Sequence, residues 1–331
     1  RPIPRTGSGF RSGPRDVRAG VLSGAPLLAI LGPTASGKSS VAMHVAESPE
    51  GRARSVELIS VDAMQVYRGM DIGTAKPTES ERRSVRHHLV DLVEADESFT
   101  VARFQEEFRR AVADIEARHG AALMVGGTGL YVRAAVDDLD IPGQWPEVRS
   151  SLEHQVLDEG PAALHERLAT LDPVAASRME PTNVRRIVRA LEVTIGGGRP
   201  FSSYGPGVDT YPPTPVRQFA LQWPREVLAR RIESRVGTMI DAGLVVEVEG
   251  LLARGLSPTA RQALGYKEIV DHLAGRTTLE ESVALIVRRT RQFAVRQERW
   301  FRRDPRIVWI PVEADPVQEA GPRLVAELET G

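Results

Sequence analysis

The chain has 331 residues, of which 41% are hydrophobic and 26% charged, a composition typical of a soluble globular protein with a large core. Its formal net charge is −1, so any surface for nucleic acid must be a local basic patch. It contains no cysteine, which excludes disulfides and cysteine-ligated zinc and is consistent with a cytoplasmic protein. No apolar run approaches the roughly 18 residues of a membrane span, and we expect no membrane partner.

The first 24 residues have the composition of a flexible tail. They contain five arginines and one acidic residue among glycine, proline and serine, without apolar periodicity. Such a segment buries too little apolar surface to offset the entropy lost on ordering, so we predict disorder over residues 1–24. The segment also lacks the apolar stretch of a secretory signal.

Residues 27–47 have the pattern of a phosphate-binding loop between a strand and a helix. Residues 27–31 are an apolar run that predicts a buried strand, GPTASGKS follows, and residues 40–47 have helix-forming composition. The glycines let successive N–H groups converge on one anion, Lys38 adds positive charge, and Ser39 can offer a hydroxyl to Mg²⁺. We predict that a di- or triphosphate contacts these residues: Gly32, Thr34, Ala35, Ser36, Gly37, Lys38 and Ser39.

Two further predicted strands end in polar or small residues. Residues 56–61 lead to Asp62, and residues 121–125 lead to Gly126-Gly127-Thr128. Ligands of open α/β sheets bind beyond the carboxyl ends of the strands, so Asp62 and Thr128 are predicted near the phosphate loop. Position alone leaves Asp62 equally open to an ordinary role in a turn. A phosphate cradle, a carboxylate and a hydroxyl suit a reaction in which a phosphate group leaves and a nucleophile loses a proton. Many P-loop ATPases have an aspartate at the end of the strand that corresponds to residues 121–125, where it helps to hold Mg²⁺; this chain has none there, so hydrolysis of a nucleotide is less well supported.

Residues 87–91 predict a short strand that begins with two histidines. Neighbouring side chains on a strand face opposite ways and no third ligand is near, so we interpret His87 and His88 as structural residues. Thr100 is then predicted to cap a helix that Gly120 ends.

The remaining segments complete the predicted fold. Helices are predicted over residues 148–158, 161–171, 173–179 and 183–195, and strands over residues 219–223 and 307–310. We predict an α/β fold with a parallel sheet of the P-loop NTPase type, built from residues 25–142 and 201–331. Residues 143–200 are predicted to form a mostly helical insertion domain.

A predicted helix over residues 281–303 is strongly one-sided. At about 100° per residue, its apolar residues gather on one side. Seven arginines lie on the other side, and Glu298 is the one acidic residue of the helix among them. The arginines are Arg288, Arg291, Arg299 and Arg302 in a stripe, with Arg289, Arg296 and Arg303 beside it. Charge runs are usually solvated faces, but this density favours a surface for nucleic acid.

Six motifs together resemble the bacterial tRNA dimethylallyltransferase family. They are GPTASGKS, ISVDAMQVYRGMDIGTAKP, HHLVD, GGTGLY, ALGYKE and TRQFAVRQERWFR, and they occur in that family's order and approximate spacing. The resemblance extends over residues 27–309. A phosphate loop alone would be weak support for this family, whereas the set of six is specific.

The resemblance implies dimethylallyl diphosphate as donor, with its pyrophosphate and Mg²⁺ in the loop, and the tRNA anticodon stem-loop as acceptor. Asp62 would accept a proton from the adenine N6 amine, and Thr128 would hydrogen-bond the oxygen that bridges the prenyl group to pyrophosphate. A cytoplasmic monomer is expected. The tRNA contacts it implies are Asp62, Ala63, Met64, Gln65, Arg185, Arg186, Arg189, Gly265, Tyr266, Lys267, Arg288, Arg291, Arg296 and Arg299.

The sequence departs from the family pattern at two positions. Arg185 stands where the family usually has glutamine, and Val295 where it usually has lysine, so the departures concern contacts to RNA or pyrophosphate. Two other functions stay open. An ATP-dependent small-molecule kinase would use the phosphate loop, and a non-catalytic RNA-binding protein would use the arginine-rich helix.

Overall fold

The computed structural model describes residues 28–205 and 207–329. The tail predicted over residues 1–24 lies outside these ranges. In the described ranges, no helix is long and apolar enough to cross a membrane.

Six strands form one sheet at the centre of the molecule. They are β1 (Leu28–Leu31), β2 (Glu57–Val61), β3 (His87–His88), β4 (Ala122–Gly126), β5 (Arg217–Gln222) and β6 (Ile307–Pro311). Their spatial order is β3-β2-β4-β1-β5-β6, and every neighbouring pair is parallel. The predicted α/β class with a parallel sheet is therefore confirmed. The order places β2, β4 and β1 side by side, so their carboxyl ends meet at one edge.

The strand predicted over residues 87–91 is wrong in length. Leu89 and Asp91 have φ of 61° and 56°, left-handed conformations that end the extended segment after His88. Both histidines bond within the protein: His87 Nδ1 lies 2.8 Å from the Val85 carbonyl oxygen, and His88 Nε2 lies 2.6 Å from the Glu57 carboxylate.

Helices cover the sheet. Before the predicted insertion come α1 (Lys38–Glu47), α2 (Pro49–Ala53), α3 (Glu79–Ser84), α4 (Val101–Ala117) and α5 (Gly129–Val136). The insertion contains α6 (Pro146–Leu171), α7 (Pro173–Ala176) and α8 (Val184–Gly197). After it come α9 (Arg225–Asp241), α10 (Leu244–Arg254), α11 (Pro258–Arg261), α12 (Tyr266–Leu273), α13 (Leu279–Phe301) and α14 (Pro316–Glu329).

Helix α4 begins as predicted and ends earlier than predicted. The Thr100 hydroxyl accepts a hydrogen bond from the Arg103 N–H, which satisfies one free donor of the first turn. The helix ends at Ala117, and the left-handed residue beyond it is His119, with φ of 58°. Gly120 is instead a packing position, because a Cβ there would lie 2.9 Å from the Ser55 carbonyl oxygen.

The helices of the predicted insertion have a hydrophobic core of their own. The two helices predicted over residues 148–158 and 161–171 are the two parts of α6, which is broken at Gly160 by a non-helical φ of 79° and ψ of 167°. Helix α6 packs mainly against α8. The cluster of buried side chains between them is separate from the one around the sheet and includes Leu152, Leu164, Leu168, Ile187 and Leu191.

Candidate active site

The predicted phosphate loop leaves β1 and enters α1 with its carbonyl groups bonded to the protein. Trp223 Nε1 donates to the Ser36 carbonyl oxygen and Arg231 Nε to that of Ala35, both at 2.9 Å. Gly37, with φ of 88°, takes the left-handed conformation that opens α1. Because these carbonyl oxygens accept hydrogen bonds from side chains of the protein, the N–H groups of the loop are left available to bind an anion.

Lys38 and Arg235 give this end of the site its positive charge. Burial lowers the pKa of Lys38 to about 7; repulsion from Arg235 adds to the shift, and attraction to Asp62 opposes it. Burial likewise lowers the pKa of Arg235, again opposed by Asp62. Lys38 Nζ donates to the Pro33 carbonyl oxygen at 2.7 Å. Two cations crowded in this way favour a multiply charged anion between them.

Asp62 and Thr128 are held close together at the adjacent ends of β2 and β4, because Thr128 is hydrogen-bonded to the residues on both sides of Asp62. The Ala63 N–H donates to Thr128 Oγ1 at 3.1 Å, and the Thr128 N–H donates to the Val61 carbonyl oxygen at 3.3 Å. The Met64 N–H donates to Asp62 Oδ1 at 2.8 Å, which fixes the turn after β2. Thr128 therefore accepts one bond through its hydroxyl oxygen and keeps its hydroxyl hydrogen for a ligand.

Gln65 bonds within the protein and connects β2 to the loop over residues 71–77. Its Oε1 accepts from Ser60 Oγ at 2.7 Å, and its Nε2 donates to the Thr74 and Ala75 carbonyl oxygens at 3.3 Å. The predicted tRNA contact through this amide thus competes with three internal bonds.

Glu247, on α10, holds the same loop from its other side. Its carboxylate accepts hydrogen bonds from the N–H groups of Asp71, Ile72 and Gly73 at 3.0, 2.8 and 3.3 Å. It also accepts from the Tyr266 hydroxyl at 2.6 Å. A single carboxylate therefore fixes three successive amides of a loop that lies beside the candidate site.

Lys38, Asp62, Gln65 and Arg235 line one cavity of about 150 Å³ at the carboxyl edge of the sheet, and Gly127, next to Thr128, lines it too. Its polar lining includes Thr34, Lys38, Ser39, Asp62, Gln65, Arg235 and Gln297, and its apolar lining includes Met43, Leu58, Val125 and Phe293. A larger groove, of about 650 Å³, lies between α1, α2 and α14. None of the predicted site residues lines that groove, so the smaller cavity is the candidate active site.

A family model described as IPP transferase matches residues 65–304. The chain belongs to this family. It is 52% identical to the tRNA dimethylallyltransferase of Kineococcus radiotolerans over 310 residues, 92% of this chain and 96% of that protein. The enzyme of the same name from Thermobifida fusca is 48% identical over 304 residues, 91% and 94% of the two chains. The crystal structure of the full-length tRNA isopentenylpyrophosphate transferase from Bacillus halodurans is similar with a TM-score of 0.66 at 37% identity, covering 93% of this chain and 98% of that one.

In this IPP transferase family member, four of the seven arginines predicted on one helical face pair with acids, and three of the four acids come from other elements, which the prediction did not include. Arg302 and Arg303 follow the end of α13 at Phe301. Glu268 pairs with Arg289 at 2.5 Å, Glu233 with Arg291 at 2.8 Å, Glu298 with Arg302 at 2.7 Å, and Asp209 with Arg303. Arg296 lies over the Phe293 ring. Within the described ranges Arg288, Arg296 and Arg299 are exposed and have no acidic partner, so they carry the available positive charge of this face.

The predicted contacts at the start of α12 differ from one another in accessibility. The Tyr266 side chain is fully buried, with its hydroxyl on Glu247, so the prediction that it contacts RNA directly is at odds with the structure. Gly265 caps α12, and its N–H donates to Glu268. Lys267 is half-buried, and its ammonium has no hydrogen bond or ion pair in the part of the chain that the structure describes.

The three arginines predicted in the insertion also differ. Arg185 and Arg186 are exposed on α8 and do not line the cavity. Arg189 is turned inward, where it pairs with the buried Glu192 at 2.9 Å and donates to the Pro142 carbonyl oxygen at 2.8 Å. The guanidinium of Arg189 is thus used inside the insertion, in place of the predicted RNA contact.

Three site residues were missed by the sequence interpretation: Arg235, Glu247 and Gln297. Arg235 and Glu247 lie on amphipathic helices among other charged residues, and nothing local distinguishes them. Gln297 had a signal, because it is a polar residue on the apolar side of the arginine-rich helix, between the turns of Phe293 and Phe301. A buried amide on an apolar face needs hydrogen-bond partners, and it therefore indicates a specific contact.

Proposed function

We propose that this protein transfers a dimethylallyl group from dimethylallyl diphosphate to N6 of the adenosine 3′ to the anticodon in tRNA, with release of pyrophosphate. The observation that carries the proposal is that Asp62 lines one cavity with the phosphate-loop residues Lys38 and Ser39. Thr128 is held beside it, because its hydroxyl oxygen accepts a hydrogen bond from the N–H of Ala63, the residue after Asp62. The names of the similar proteins from Kineococcus and Thermobifida support the reaction class.

The lining of the cavity suits a small prenyl diphosphate. Lys38, Arg235 and the loop amides meet the charge of a diphosphate, which grows as the carbon–oxygen bond breaks. Met43, Leu58, Val125 and Phe293 offer apolar contacts to a short hydrocarbon chain. A nucleoside triphosphate would leave the apolar part of this lining without a partner.

The proposed step is a single displacement. The N6–H proton passes to the Asp62 carboxylate as N6 forms a bond to the first carbon of the prenyl group. The bond from that carbon to oxygen breaks, and pyrophosphate leaves with the electron pair. The Thr128 hydroxyl donates to the bridging oxygen, where negative charge develops, and the adenine must be flipped out of its stack to reach this depth.

We propose Mg²⁺ as the cofactor. The Ser39 hydroxyl lines the cavity beside Lys38 and makes no hydrogen bond within residues 28–205 and 207–329, so it is free to be a ligand. A hydroxyl together with phosphate oxygens is the hard, oxygen-rich ligand set that Mg²⁺ prefers. The ion would neutralise part of the charge on the diphosphate.

The proposed partner is the anticodon stem-loop, approached by the half-buried Lys267 and by the exposed cations Arg185, Arg186, Arg288 and Arg299. Arg185 and Val295, the two residues that differ from the family pattern, belong to this surface. We expect them to affect which tRNAs the protein prefers. We further propose that the protein acts as a cytoplasmic monomer, because all residues proposed for the step lie on one chain. Light scattering at working concentration tests the monomer.

The decisive experiment is incubation of the protein with unmodified tRNA, Mg²⁺ and labelled dimethylallyl diphosphate, followed by digestion and nucleoside analysis. We expect label in N6-dimethylallyladenosine and an equal amount of pyrophosphate. Parallel reactions contain labelled ATP in place of the prenyl donor. Robust ATP turnover without prenyl transfer would support the kinase class, and RNA binding with neither reaction would support a non-catalytic RNA-binding protein.

A further inference from the structure

Helix α13 reaches the active site through one buried amide. Gln297 Oε1 accepts a hydrogen bond from the Thr34 N–H at 2.8 Å, and Gln297 Nε2 donates to the Gly127 carbonyl oxygen at 2.9 Å. The side chain is only 8% exposed and lines the cavity. Two segments far apart in the chain are therefore bridged by a residue that belongs to neither.

The two hydrogen-bond partners of Gln297 belong to the two parts of the proposed active site, the phosphate loop and the turn that carries Thr128. Thr34 lies in the phosphate loop, and Gly127 immediately precedes Thr128. In the donor these halves meet at a single bridging oxygen, so the phosphate cradle and Thr128 must be held at one separation. A misplacement of about 1 Å is enough to cost roughly 100-fold in rate when reacting groups depend on orientation.

The backbone around Thr128 is shaped to admit α13. A Cβ at Gly127 would lie 2.4 Å from Gln297 Nε2, and a Cβ at Gly129 would lie 2.2 Å from the Trp300 ring. The glycines on both sides of Thr128 therefore allow one helix to touch this turn at two points. Glutamine suits the first point because its terminal amide offers a donor and an acceptor at once.

We propose that Gln297 is a positioning residue that sets the separation between the phosphate cradle and Thr128. The inference rests on the proposed transfer reaction, but it makes a separate statement about pyrophosphate binding. With Gln297 in place, the Thr34 N–H is turned toward α13 and is not offered to the ligand, contrary to its predicted role as a direct amide contact. The other N–H groups of the phosphate loop stay available to the ligand, and the hydrogen bond at Thr34 fixes the position of the loop.

The test compares Gln297→Met with Gln292→Met. Methionine is close to glutamine in volume and removes both hydrogen bonds, whereas Gln292 is exposed on the same helix and has no hydrogen bond in the described ranges. Single-turnover transfer measures the rate, calorimetry with inorganic pyrophosphate and Mg²⁺ measures the cradle without RNA or donor, and filter binding measures tRNA affinity. Thermal unfolding is followed in parallel.

For Gln297→Met we expect transfer to fall about 10- to 100-fold and pyrophosphate affinity to fall several-fold, with tRNA affinity within twofold of the wild type. Gln292→Met should match the wild type in all four measurements. Wild-type transfer by Gln297→Met would overturn the inference, and so would a parallel fall of transfer, tRNA affinity and melting temperature, which indicates a purely structural role.

Two further outcomes separate the inference from the reaction on which it rests. If the wild type makes no prenylated nucleoside while Gln297→Met still weakens pyrophosphate binding, the transfer reaction fails and the contact to the cradle stands. If Gln297→Met does not fold, Gln297→Glu replaces it, because a carboxylate still accepts from the Thr34 N–H but repels the Gly127 carbonyl. That variant should lose transfer while it stays folded, and unchanged transfer would overturn the inference.

Discussion

One oxygen of the Asp62 carboxylate is hydrogen-bonded to the backbone, and the other is available to accept a proton. Oδ1 accepts from the Met64 N–H at 2.8 Å, which orients the side chain, and the described residues provide no hydrogen bond to Oδ2. This division explains how a residue in an ordinary turn can also be a base. The two interpretations that the sequence left equally open, a turn residue and a proton acceptor, are compatible in one side chain.

Asp62→Asn should lower single-turnover transfer by about 10²- to 10⁴-fold, the usual cost of removing a general base. Asparagine keeps Oδ1 as the acceptor for Met64 but cannot take a proton. We therefore expect the melting temperature to stay within a few degrees of the wild type and tRNA affinity to change far less than the rate. Rapid-quench transfer with saturating substrates measures the effect.

A titration with Mg²⁺ serves as the control for this variant. If Asp62 acts by placing the ion, the variant will need more Mg²⁺ and will regain its rate at saturation. Near wild-type transfer in excess Mg²⁺ would falsify the assignment of Asp62 as the base.

The lowered pKa of Lys38, about 7, predicts a proton linkage in donor binding. At pH 8 the free protein holds Lys38 mostly neutral, and a diphosphate favours the ammonium, so binding should take up about 1 proton at this residue. The pKa of Lys38 in the unfolded chain is higher, near 10.5, so between about pH 7 and 10.5 the unfolded state binds more protons than the folded state. The free energy of unfolding therefore rises with pH across that range as far as Lys38 is concerned.

Calorimetry of pyrophosphate binding in two buffers of different ionisation enthalpy measures the proton uptake. Lys38→Arg is the reference, because arginine stays protonated and any contribution of the ligand itself is common to both proteins. Equal uptake by the wild type and Lys38→Arg at pH 8 would contradict the prediction.

At the scale of elements, α13 has two faces with different tasks. Its inner face carries Gln297 and Phe293 to the cavity. Its outer face carries arginines, of which Arg289 and Arg291 are paired with acids, as are Arg302 and Arg303 just beyond the helix. Surface ion pairs of this kind contribute little to stability, but they reduce the charge offered to RNA. The number of arginines on the helix therefore overstates its attraction for phosphate.

Arg288→Ala combined with Arg299→Ala should weaken tRNA binding and make it less sensitive to salt. For each RNA phosphate that the protein no longer neutralises, the slope of log affinity against log salt should become shallower by about 0.7 to 0.9. The matched variant removes Arg302 and Arg303, whose charges are already compensated, and should change the slope less. Equal slopes for the two double variants would show that the available charge lies elsewhere.

Local patterns predicted the elements well, and long-range partners were beyond them. The strands around β1 were placed within two residues because apolar runs and the GPTASGKS motif are continuous in the chain. The acidic partners of the α13 arginines, Glu233 and Glu268, come from other elements, and no periodicity indicates them. Glu247 reaches residues more than 170 positions away for the same reason.

At the scale of the whole molecule, the sheet and the predicted insertion have separate cores, joined by a reinforced return connection. Arg133, on α5, pairs with Asp137 and donates to the Val208 and Thr210 carbonyl oxygens. Arg306 donates to the same Asp137 and to the Pro212 carbonyl oxygen, both at 2.6 Å. The chain that returns from the insertion is thereby fixed to the core close to β6.

Two cores predict two units of stability, and Leu168→Ala tests this. Leu168 is fully buried between α6 and α8, so its truncation should cost about 2–5 kcal/mol in the unfolding free energy of the insertion. Hydrogen exchange should accelerate over residues 146–197 and stay slow in β1, β4 and β5. Pyrophosphate binding should be unchanged, because the cavity is lined by the other core.

Leu171→Ala is the matched control, since Leu171 lies on the same helix and is 42% exposed. Its exchange pattern should follow the wild type. tRNA affinity should fall with Leu168→Ala if the exposed arginines of α8 touch RNA, because local opening of the insertion removes the surface that carries them. Uniform acceleration of exchange across both cores would instead show that the molecule unfolds as one cooperative unit, with the hydrogen bonds of Arg133 and Arg306 coupling the insertion to the sheet.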